Sequence, residues 1–263
     1  MSMENIILLL ERNGKQGEVV ISTSTDDSFS DYATHTCPFS QIVFRNDSEK
    51  FIHIPSGANQ EATALPATFS HSLADIGVEV STGPVVDFRV KDDLRDLPEK
   101  DCVPLLYPTH FSGYGIEWPK ADSKKPNALR LNPETQKWLF PDGCYAVVRR
   151  FSSKEEKRRI VATLVMPGLG DSRFLGFENH LNVFHHAKQG LPENLARGLV
   201  AYLNSTMVET YFRRFSGHTQ VNATDLRRMR YPSRETLIQL GHWASKRGAS
   251  QQEELDRKIQ SLA

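Results

Sequence analysis

The sequence predicts an α+β protein whose first part is rich in mixed or antiparallel strands and whose last third is helical. Short apolar runs separated by turn residues dominate the chain up to about residue 166. After residue 190, apolar residues instead recur every three or four positions, which is the helical period. Strands followed by helices, rather than alternating with them, are typical of α+β folds.

Four short strands are predicted in the first sixty residues. Residues 6–10 and 19–22 are apolar runs on either side of an Asn-Gly pair, a common hairpin turn, so we expect them to pair. The polar stretch 22–40 lacks periodic apolar residues and is expected to be an extended connector. Two further short strands are predicted at residues 41–44 and 51–54.

A helix and then a series of strands are predicted in the middle of the chain. Leu65, Phe69, Leu73 and Ile76 recur at helical spacing, and the glycine after them is a natural stop. The helix is expected to begin near residue 66. Strands follow at 78–81, 85–90, 103–107, 145–151 and 160–166, with a capped helical turn at 153–156 between the last two.

Helices are predicted through the last third. Leu195, Leu199 and Leu203 share one helical face, and a second helix is expected after the break at residues 204–205. The anchors of the later helices are Met207, Tyr211 and Phe215, then Leu237 and Leu240, and finally Leu255, Ile259 and Leu262.

The composition is that of a globular protein without bulk charge. The 32 Lys and Arg residues balance 32 Asp and Glu residues, and 39% of the chain is hydrophobic. No apolar run approaches the ~20 residues of a membrane helix, and the start lacks a basic leader, so a cytoplasmic protein is expected. Cys37, Cys102 and Cys144 are widely spaced and are expected to be reduced thiols.

Several common catalytic signatures are missing. The chain has neither of the glycine motifs that cradle nucleotide phosphates. His180, His185 and His186 lack the spacing of a metal site, so no metal ligand is predicted. The pair Glu117 and Lys120 faintly resembles part of a nuclease site, which leaves a self-contained nuclease as an alternative function.

The stretch 213–233, RRFSGHTQVNATDLRRMRYPS, predicts a polar loop held between helices and flanked by arginines. Short hydroxyl and forked amide side chains are suited to base edges and phosphate oxygens. Asn222 or Thr224 is expected to cap a short helix. The predicted DNA-binding residues here are Ser216, His218, Thr219, Gln220 and Asn222 in the loop, with Arg213, Arg214, Arg227 and Arg228 beside it.

Two more basic clusters suggest that a groove gathers positive charge in a neutral protein. If they line one groove, each phosphate contact adds salt-dependent affinity for DNA. The alternative is a solvated charged face, which is what charge runs usually form. The predicted phosphate-binding residues are Arg149, Arg150, Lys154, Lys157 and Arg158 in one cluster, and Lys124 and Lys125 in the other.

Six stretches in order carry a family resemblance. They are VSTGPVVDFR (80–89), PLLYPTHF (104–111), WPKADSKKPNA (118–128), RRFSSKEEKRRIVA (149–162), GFENHLNVFH (176–185) and FSGHTQVNATDLRRMRYPS (215–233). They resemble the C-terminal half of adenine-specific DNA methyltransferases of the γ-class, Taq-type group, from restriction–modification systems. The resemblance implies that residues 1–60 correspond to the end of the catalytic domain, and residues 61–263 to a DNA target-recognition domain.

The chain departs from that family in its chemistry. The catalytic half of the family carries a cofactor-binding glycine motif and an Asn-Pro-Pro-Tyr/Phe motif for the flipped-out adenine, and neither occurs here. The resemblance therefore implies binding of double-stranded DNA, no catalytic residues and no cofactor in this chain, with S-adenosylmethionine bound by the complete enzyme. Three origins of the chain are compatible with this pattern: an excised domain, a split subunit that docks a separate catalytic subunit through residues 1–60, or a gene remnant.

Overall fold

The computed structural model describes residues 7–43, 52, 68–152, 155–215, 219–246 and 252–262. The chain divides into two compact units, Met1–Ala62 and Thr63–Ala263. None of the helices in these described ranges is long and apolar enough to cross a bilayer.

The smaller unit contains an antiparallel hairpin. Strand β1 (Glu18–Thr23) pairs along its whole length with β2 (Ala33–Pro38), and a single helical turn, α1 (Phe39–Ile42), follows. The connection between the strands is organised by carboxylates. Asp31 accepts hydrogen bonds from Ser24 and Thr25, and Asp26 accepts from Ser28 and Ser30.

The hairpin corrects three of the sequence expectations. Residues 19–22 do form a strand, but residues 7–10 do not, and the partner strand lies inside the stretch expected to be a connector. Val20 of β1 pairs with Thr36 of β2, and both are β-branched residues suited to strands. The strand predicted at 41–44 is wrong because α1 occupies its start, and the one at 51–54 lies outside the described residues apart from Ile52.

The larger unit has strands first and most of its helices last. Its strands are β3 (Glu79–Thr82), β4 (Leu94–Arg95), β5 (Cys102–Leu106), β6 (Phe111–Ser112), β7 (Gly115–Ile116), β8 (Ala128–Arg130), β9 (Phe140–Pro141), β10 (Tyr145–Arg149), β11 (Ala162–Val165), β12 (Phe174–Phe177) and β13 (Leu181–His185). Its α-helices are α2 (Glu193–Leu203), α3 (Thr206–Phe215), α4 (Ala223–Arg228), α5 (Arg234–Ser245) and α6 (Gln252–Gln260). This arrangement is compatible with the predicted α+β class.

The first of the two main sheets in this unit is antiparallel and packs against the helices. Its order is β11-β10-β13-β3, and one face shares a core with α2 through Leu195, Leu199 and Leu203. Helices α2 and α5 touch at glycines: a Cβ on Gly198 would lie 1.9 Å from the Leu237 carbonyl oxygen. The two backbones can approach this closely because no side chain separates them.

The second main sheet joins distant parts of the chain. Its order is β4-β8-β5-β12-β9, and β5 and β12 pair in parallel at Leu105–Gly176 and Leu106–Phe177. Phe177 and the apolar residues around it also pack against the other face of the first sheet. The parallel pair positions the chain segment that leaves β12, and the candidate site forms there.

The sequence predicted most elements of this unit. The strands at 78–81, 103–107, 145–151 and 160–166 and the four long helices are confirmed within a few residues. The helix expected over 65–76 is wrong for its described part, residues 68–76, which form turns around an isolated pairing of His71 with Tyr231. That pairing uses the His71 backbone N–H and C=O, which a helix would need. The strand expected at 85–90 is instead a 3-10 turn, Asp87–Arg89.

Candidate functional site

The turn of residues 178–180, between β12 and β13, is the point at which several segments meet. The backbone N–H of Glu178 donates to the Leu106 carbonyl at 3.0 Å, and that of Asn179 donates to the Val85 carbonyl at 2.9 Å. The N–H of Arg150 donates in turn to the His180 carbonyl at 2.8 Å. Three stretches that are far apart in sequence are therefore fastened to one turn.

Gly83 allows the first of these stretches to approach the turn. A Cβ on Gly83 would lie 2.2 Å from the Glu178 carbonyl oxygen and 2.6 Å from that of Phe177. Its N–H donates to the Leu181 carbonyl at 2.8 Å, so both sides of the turn are in contact with it. Only a residue without a side chain fits this position.

A buried carboxylate holds a half-exposed histidine at the turn. The side chain of Glu178 is fully buried, whereas that of His180 is 42% exposed. The Glu178 carboxylate lies 2.6 and 2.8 Å from His180 Nδ1 and also accepts from the His180 backbone N–H at 2.9 Å. Because an ionised carboxylate only accepts, this contact places a proton on Nδ1.

An exposed aromatic and cationic surface lies beside that histidine. The Phe151 ring, 40% exposed, lies 4.9 Å from the His180 ring, and the Arg150 guanidinium sits 5.4 Å from the Phe151 centroid. Arg150 also donates to the Gln220 side-chain oxygen at 3.3 Å and to the Asn179 carbonyl at 3.2 Å. We call Arg150, Phe151, His180 and Gln220 the platform.

A lysine–aspartate pair joins the site: Asp87 comes from the stretch of Gly83 and Val85, and Lys125 comes from a further one. Lys125 Nζ lies 2.9 Å from Asp87 Oδ2 and 5.2 Å from the centroid of the Tyr107 ring. The hydrogen bond from Lys125 is the main cause that lowers the pKa of Asp87, and the charge of His180 also contributes. The Tyr107 hydroxyl is buried without a hydrogen-bond partner among the described residues, and burial raises the pKa of Tyr107 above its usual range.

The polar loop of residues 216–222, which is predicted to read bases and is called the reading loop below, is only partly within the described residues. Thr219 is exposed, and its carbonyl accepts from the Ser152 N–H at 3.2 Å. Gln220 forms an isolated antiparallel bridge with Phe151, which brings the loop to the platform. Asn222 begins α4, as expected, and its N–H donates to Asp225 at 3.1 Å. Ser216, His218 and the side chain of Arg214 lie outside the described residues.

Several predicted DNA-binding arginines pair with carboxylates inside the protein. Arg149 forms an ion pair with Glu156. Arg213 Nε lies 2.6 Å from a Glu209 oxygen, and its guanidinium also donates to the Glu156 carbonyl at 2.7 Å. These pairings give both arginines a structural role, and their contact with DNA stays a prediction.

The other predicted cations are spread over the larger unit. Arg158 donates to the Ser205 carbonyl at 3.0 Å and to Gln252 at 3.4 Å. It therefore links the chain segment before β11 to the beginnings of α3 and α6. Arg227 donates to the Val80 carbonyl at 3.3 Å. The remaining described cations are the exposed residues Lys124, Lys157 and Arg228, while Lys154 lies outside the described residues.

The residues of the nuclease alternative contact each other. Lys120 Nζ lies 3.6 Å from Glu117 and donates to the Thr109 carbonyl at 3.2 Å. Among the described residues, no group of three or more His, Cys, Asp or Glu side chains is arranged to hold a metal ion.

Lys125, Arg150 and Gln220, which the sequence predicts to bind DNA, lie at this site. The sequence does not point to the turn of residues 178–180 at its centre. In the sequence His180 stands out only as a histidine without the spacing of a metal ligand, and nothing singles out Glu178. The stretch GFENHLN could have indicated these two residues, because a glutamate and a histidine two positions apart lie there between two apolar runs. All six stretches that carry the resemblance contribute to the contacts around residues 178–180.

Comparison with known proteins bears out the methyltransferase part of the resemblance. No protein-family model matches the chain. Over 260 residues, 98% of its length, the chain is 52% identical to the Type II methyltransferase M.BsuBI of Bacillus subtilis. Over 236 residues, 89% of its length, it is 43% identical to the Type II methyltransferase M.PstI of Providencia stuartii. The chain spans about half the length of these relatives, 52% and 46% respectively. Along almost its entire length, the chain is therefore a homologue of Type II methyltransferases.

Proposed function

We propose that the chain binds double-stranded DNA sequence-specifically, as the target-recognition portion of an adenine-N6 DNA methyltransferase from a restriction–modification system. The observation that carries this proposal is that five of the six dispersed stretches gather around the sixth, which contains the turn of residues 178–180. Cationic, amide and aromatic side chains are gathered there and remain accessible. Similarity to Type II methyltransferases over 98% of the chain supports DNA as the partner.

Phosphate attachment and base reading are assigned to different residues. The exposed cations Lys124, Lys157 and Arg228 are accessible to the DNA backbone, and each phosphate they meet releases counterions. Arg149 and Arg213, which pair with carboxylates, chiefly hold the loop and its neighbouring strand in place. Gln220 is part of the platform and Thr219 precedes it, and they supply amide and hydroxyl groups of the kind that meet base edges.

Methyl transfer itself is assigned to a catalytic half. The chain lacks the glycine and Asn-Pro-Pro-Tyr/Phe motifs of the γ-class, Taq-type family, so S-adenosylmethionine and the target adenine would be bound elsewhere. On this proposal the chain corresponds to the C-terminal half of such an enzyme, and residues 1–60 to the end of its catalytic domain.

The smaller unit favours a second role, docking to that catalytic half. Its apolar side chains are unusually exposed: Ile7 98%, Leu9 94%, Leu10 76%, Phe29 66% and Val20 63%. A two-stranded hairpin is marginally stable alone, and large exposed apolar patches mark interaction surfaces. We infer that this hairpin packs against a methyltransferase catalytic domain, in the same polypeptide or in a separate subunit.

Selection from a pool of duplexes with a randomised centre tests the main proposal. The purified chain should enrich one short sequence, and fluorescence anisotropy should show tighter binding to that duplex than to the unselected pool. Affinity for both should fall as salt rises, because phosphate contacts release counterions. Absence of binding, or equal affinity for selected and unselected duplexes, would contradict sequence-specific recognition.

A further inference from the structure

The His180 ring has one side held and the other exposed. Its Nδ1 is held by the fully buried Glu178 carboxylate at 2.6 Å, yet 42% of the side chain stays accessible. In the described part of the chain, Nε2 makes no hydrogen bond. In the free protein this nitrogen is accessible to water, and it is therefore available to a ligand.

The protein also orients this nitrogen. With the proton fixed on Nδ1, a neutral His180 presents Nε2 as an acceptor and a charged one presents it as a donor. The backbone of His180 is fixed as well, because its carbonyl accepts from the Arg150 N–H at 2.8 Å and its N–H donates to Glu178. A group whose rotation is restricted loses little entropy when it makes a hydrogen bond to a ligand.

The surroundings of the ring indicate which ligand fits. Phe151 is exposed and lies 4.9 Å from His180, and Arg150 covers part of the Phe151 ring. The Arg150 Nε atom is buried and has no partner among the described residues. A fixed imidazole nitrogen and a carboxamide beside an exposed apolar ring suit the edge of a base in a duplex, where the ring can contact a thymine methyl, rather than a bare phosphate.

We propose that His180 is a specificity-determining contact to a base of duplex DNA, that Phe151 supports the same base apolarly, and that Glu178 is the positioning residue that aims the imidazole. This inference rests on the proposed DNA-binding function and names the residues that read the sequence. It goes beyond the loop of residues 218–222, because the reading surface then includes the turn between β12 and β13.

Footprinting of histidines with diethyl pyrocarbonate tests the contact without any substitution. The reagent acylates accessible imidazole nitrogen, and mass spectrometry reports the modification rate of each histidine. The selected duplex should slow modification of His180 at least several-fold. His242, an exposed histidine on α5, is the matched control and should react at the same rate with and without DNA.

Substitution then separates reading from mere support. His180→Ala and Phe151→Ala should each reduce the ratio of affinities for the selected and unselected duplexes by about tenfold, the scale of one base contact. Glu178→Gln, which keeps the shape of the side chain, should reduce the same ratio, whereas His242→Ala should leave it unchanged.

The outcomes show separately whether the His180 base contact and the proposed DNA-binding function hold. If the chain binds DNA specifically but His180 stays equally reactive, and His180→Ala keeps the affinity ratio, then the base contact is wrong and the proposed function stands. If no duplex binds, both are wrong. If a variant melts at a lower temperature, the footprint of the unsubstituted protein decides whether His180 contacts DNA, because that footprint does not depend on the stability of any variant.

Discussion

Glu209 on α3 accepts hydrogen bonds from the Arg159 backbone N–H through both carboxylate oxygens, at 2.8 and 3.0 Å. It also accepts from the Ile160 N–H at 3.1 Å and pairs with Arg213, so one carboxylate joins α3 to the chain entering β11. Arg159 is itself buried, with its guanidinium 5.7 Å from the Phe212 ring. The basic stretch that the sequence suggested as a DNA-facing cluster is therefore anchored in part within the protein.

Loss of this carboxylate should destabilise the fold. Glu209→Ala leaves the buried N–H groups of Arg159 and Ile160 without their acceptor, at about 1–3 kcal/mol each, and removes the ion-pair partner of Arg213. We expect urea denaturation to show a lower midpoint and a free energy of unfolding reduced by several kcal/mol. Glu253→Ala, an exposed glutamate on α6, is the control. Equal stability of the two variants would mean that the Glu209 bonds contribute nothing net.

Two buried histidines should make stability depend on pH. Burial lowers the pKa of both His110 and His185 below the ordinary value of 6.5. His110 Nδ1 accepts from the Tyr107 N–H at 3.0 Å, and His185 Nδ1 accepts from the Lys188 N–H at 3.2 Å, so both rings are held neutral. Since the folded pKa values are depressed, the unfolded chain binds more protons below about pH 6.5.

The free energy of unfolding should therefore be greatest above pH 6.5 and should fall as pH is lowered through the folded pKa values. Denaturant titrations from neutral to acidic pH measure this slope. His110→Gln and His185→Gln should each flatten it while lowering stability at neutral pH. A slope that persists unchanged in the double variant would assign the effect to other groups.

Lys157 and Arg158 are neighbours that should behave differently. Lys157 is exposed, so Lys157→Ala should reduce the slope of log affinity against log salt by about one if it meets one phosphate, with no change in melting temperature. Arg158 donates to Ser205 and Gln252, so Arg158→Ala should lower the melting temperature as well. If both variants keep the salt slope of the unsubstituted chain, this stretch is a solvated face.

Gln220 tests the predicted reading loop. Because its oxygen accepts from Arg150 at 3.3 Å and its position is half-buried, Gln220→Ala should cost only about 0.5–1.5 kcal/mol of stability. A forked amide pairing with adenine is worth about 1–3 kcal/mol of discrimination, so the affinity ratio between selected and unselected duplexes should fall clearly. A large drop in melting temperature with an unchanged affinity ratio would show that Gln220 is a structural clamp.

Methyl transfer by the chain alone should stay at background. The motivation is the missing cofactor and adenine-pocket motifs. A tritiated-methyl assay with S-adenosylmethionine on mixed-sequence duplexes measures it, and calorimetry should show no binding of the cofactor. Incorporation above background in a preparation free of other methyltransferases would refute this prediction.

The spacing of apolar residues predicted the helices and central strands well, because the residues that recur with the helix or strand period are the ones that are buried. Leu195, Leu199 and Leu203 are fully buried on α2, as their spacing indicated. The patterns failed where pairing with distant residues decides the backbone. Phe69, Leu73 and Ile76 are buried as a helix face would be, but the chain there bonds to Tyr231 instead.

The candidate site escaped prediction for a related reason. The contact of Glu178 with His180 is local, but their closeness to Lys125, Arg150 and Gln220 arises only through the sheets. No spacing in the sequence encodes the parallel pairing of β5 with β12 that positions the turn. Charge clustering pointed to three segments, of which those around Arg150 and Gln220 are in contact, yet it could not say which arginines would be used internally.

The parallel pairing of β5 with β12, and the bridge between Phe151 and Gln220, also set the order in which binding can be acquired during synthesis. A ribosome releases the chain from its N-terminus, and contacts between distant residues wait for the later partner to emerge. Strand β5 has no parallel neighbour until β12 is made, and the platform is incomplete until Gln220 has left the exit tunnel. On the proposed function, a nascent or truncated chain that ends before residue 220 carries most of the predicted DNA-binding cations but does not select a DNA sequence.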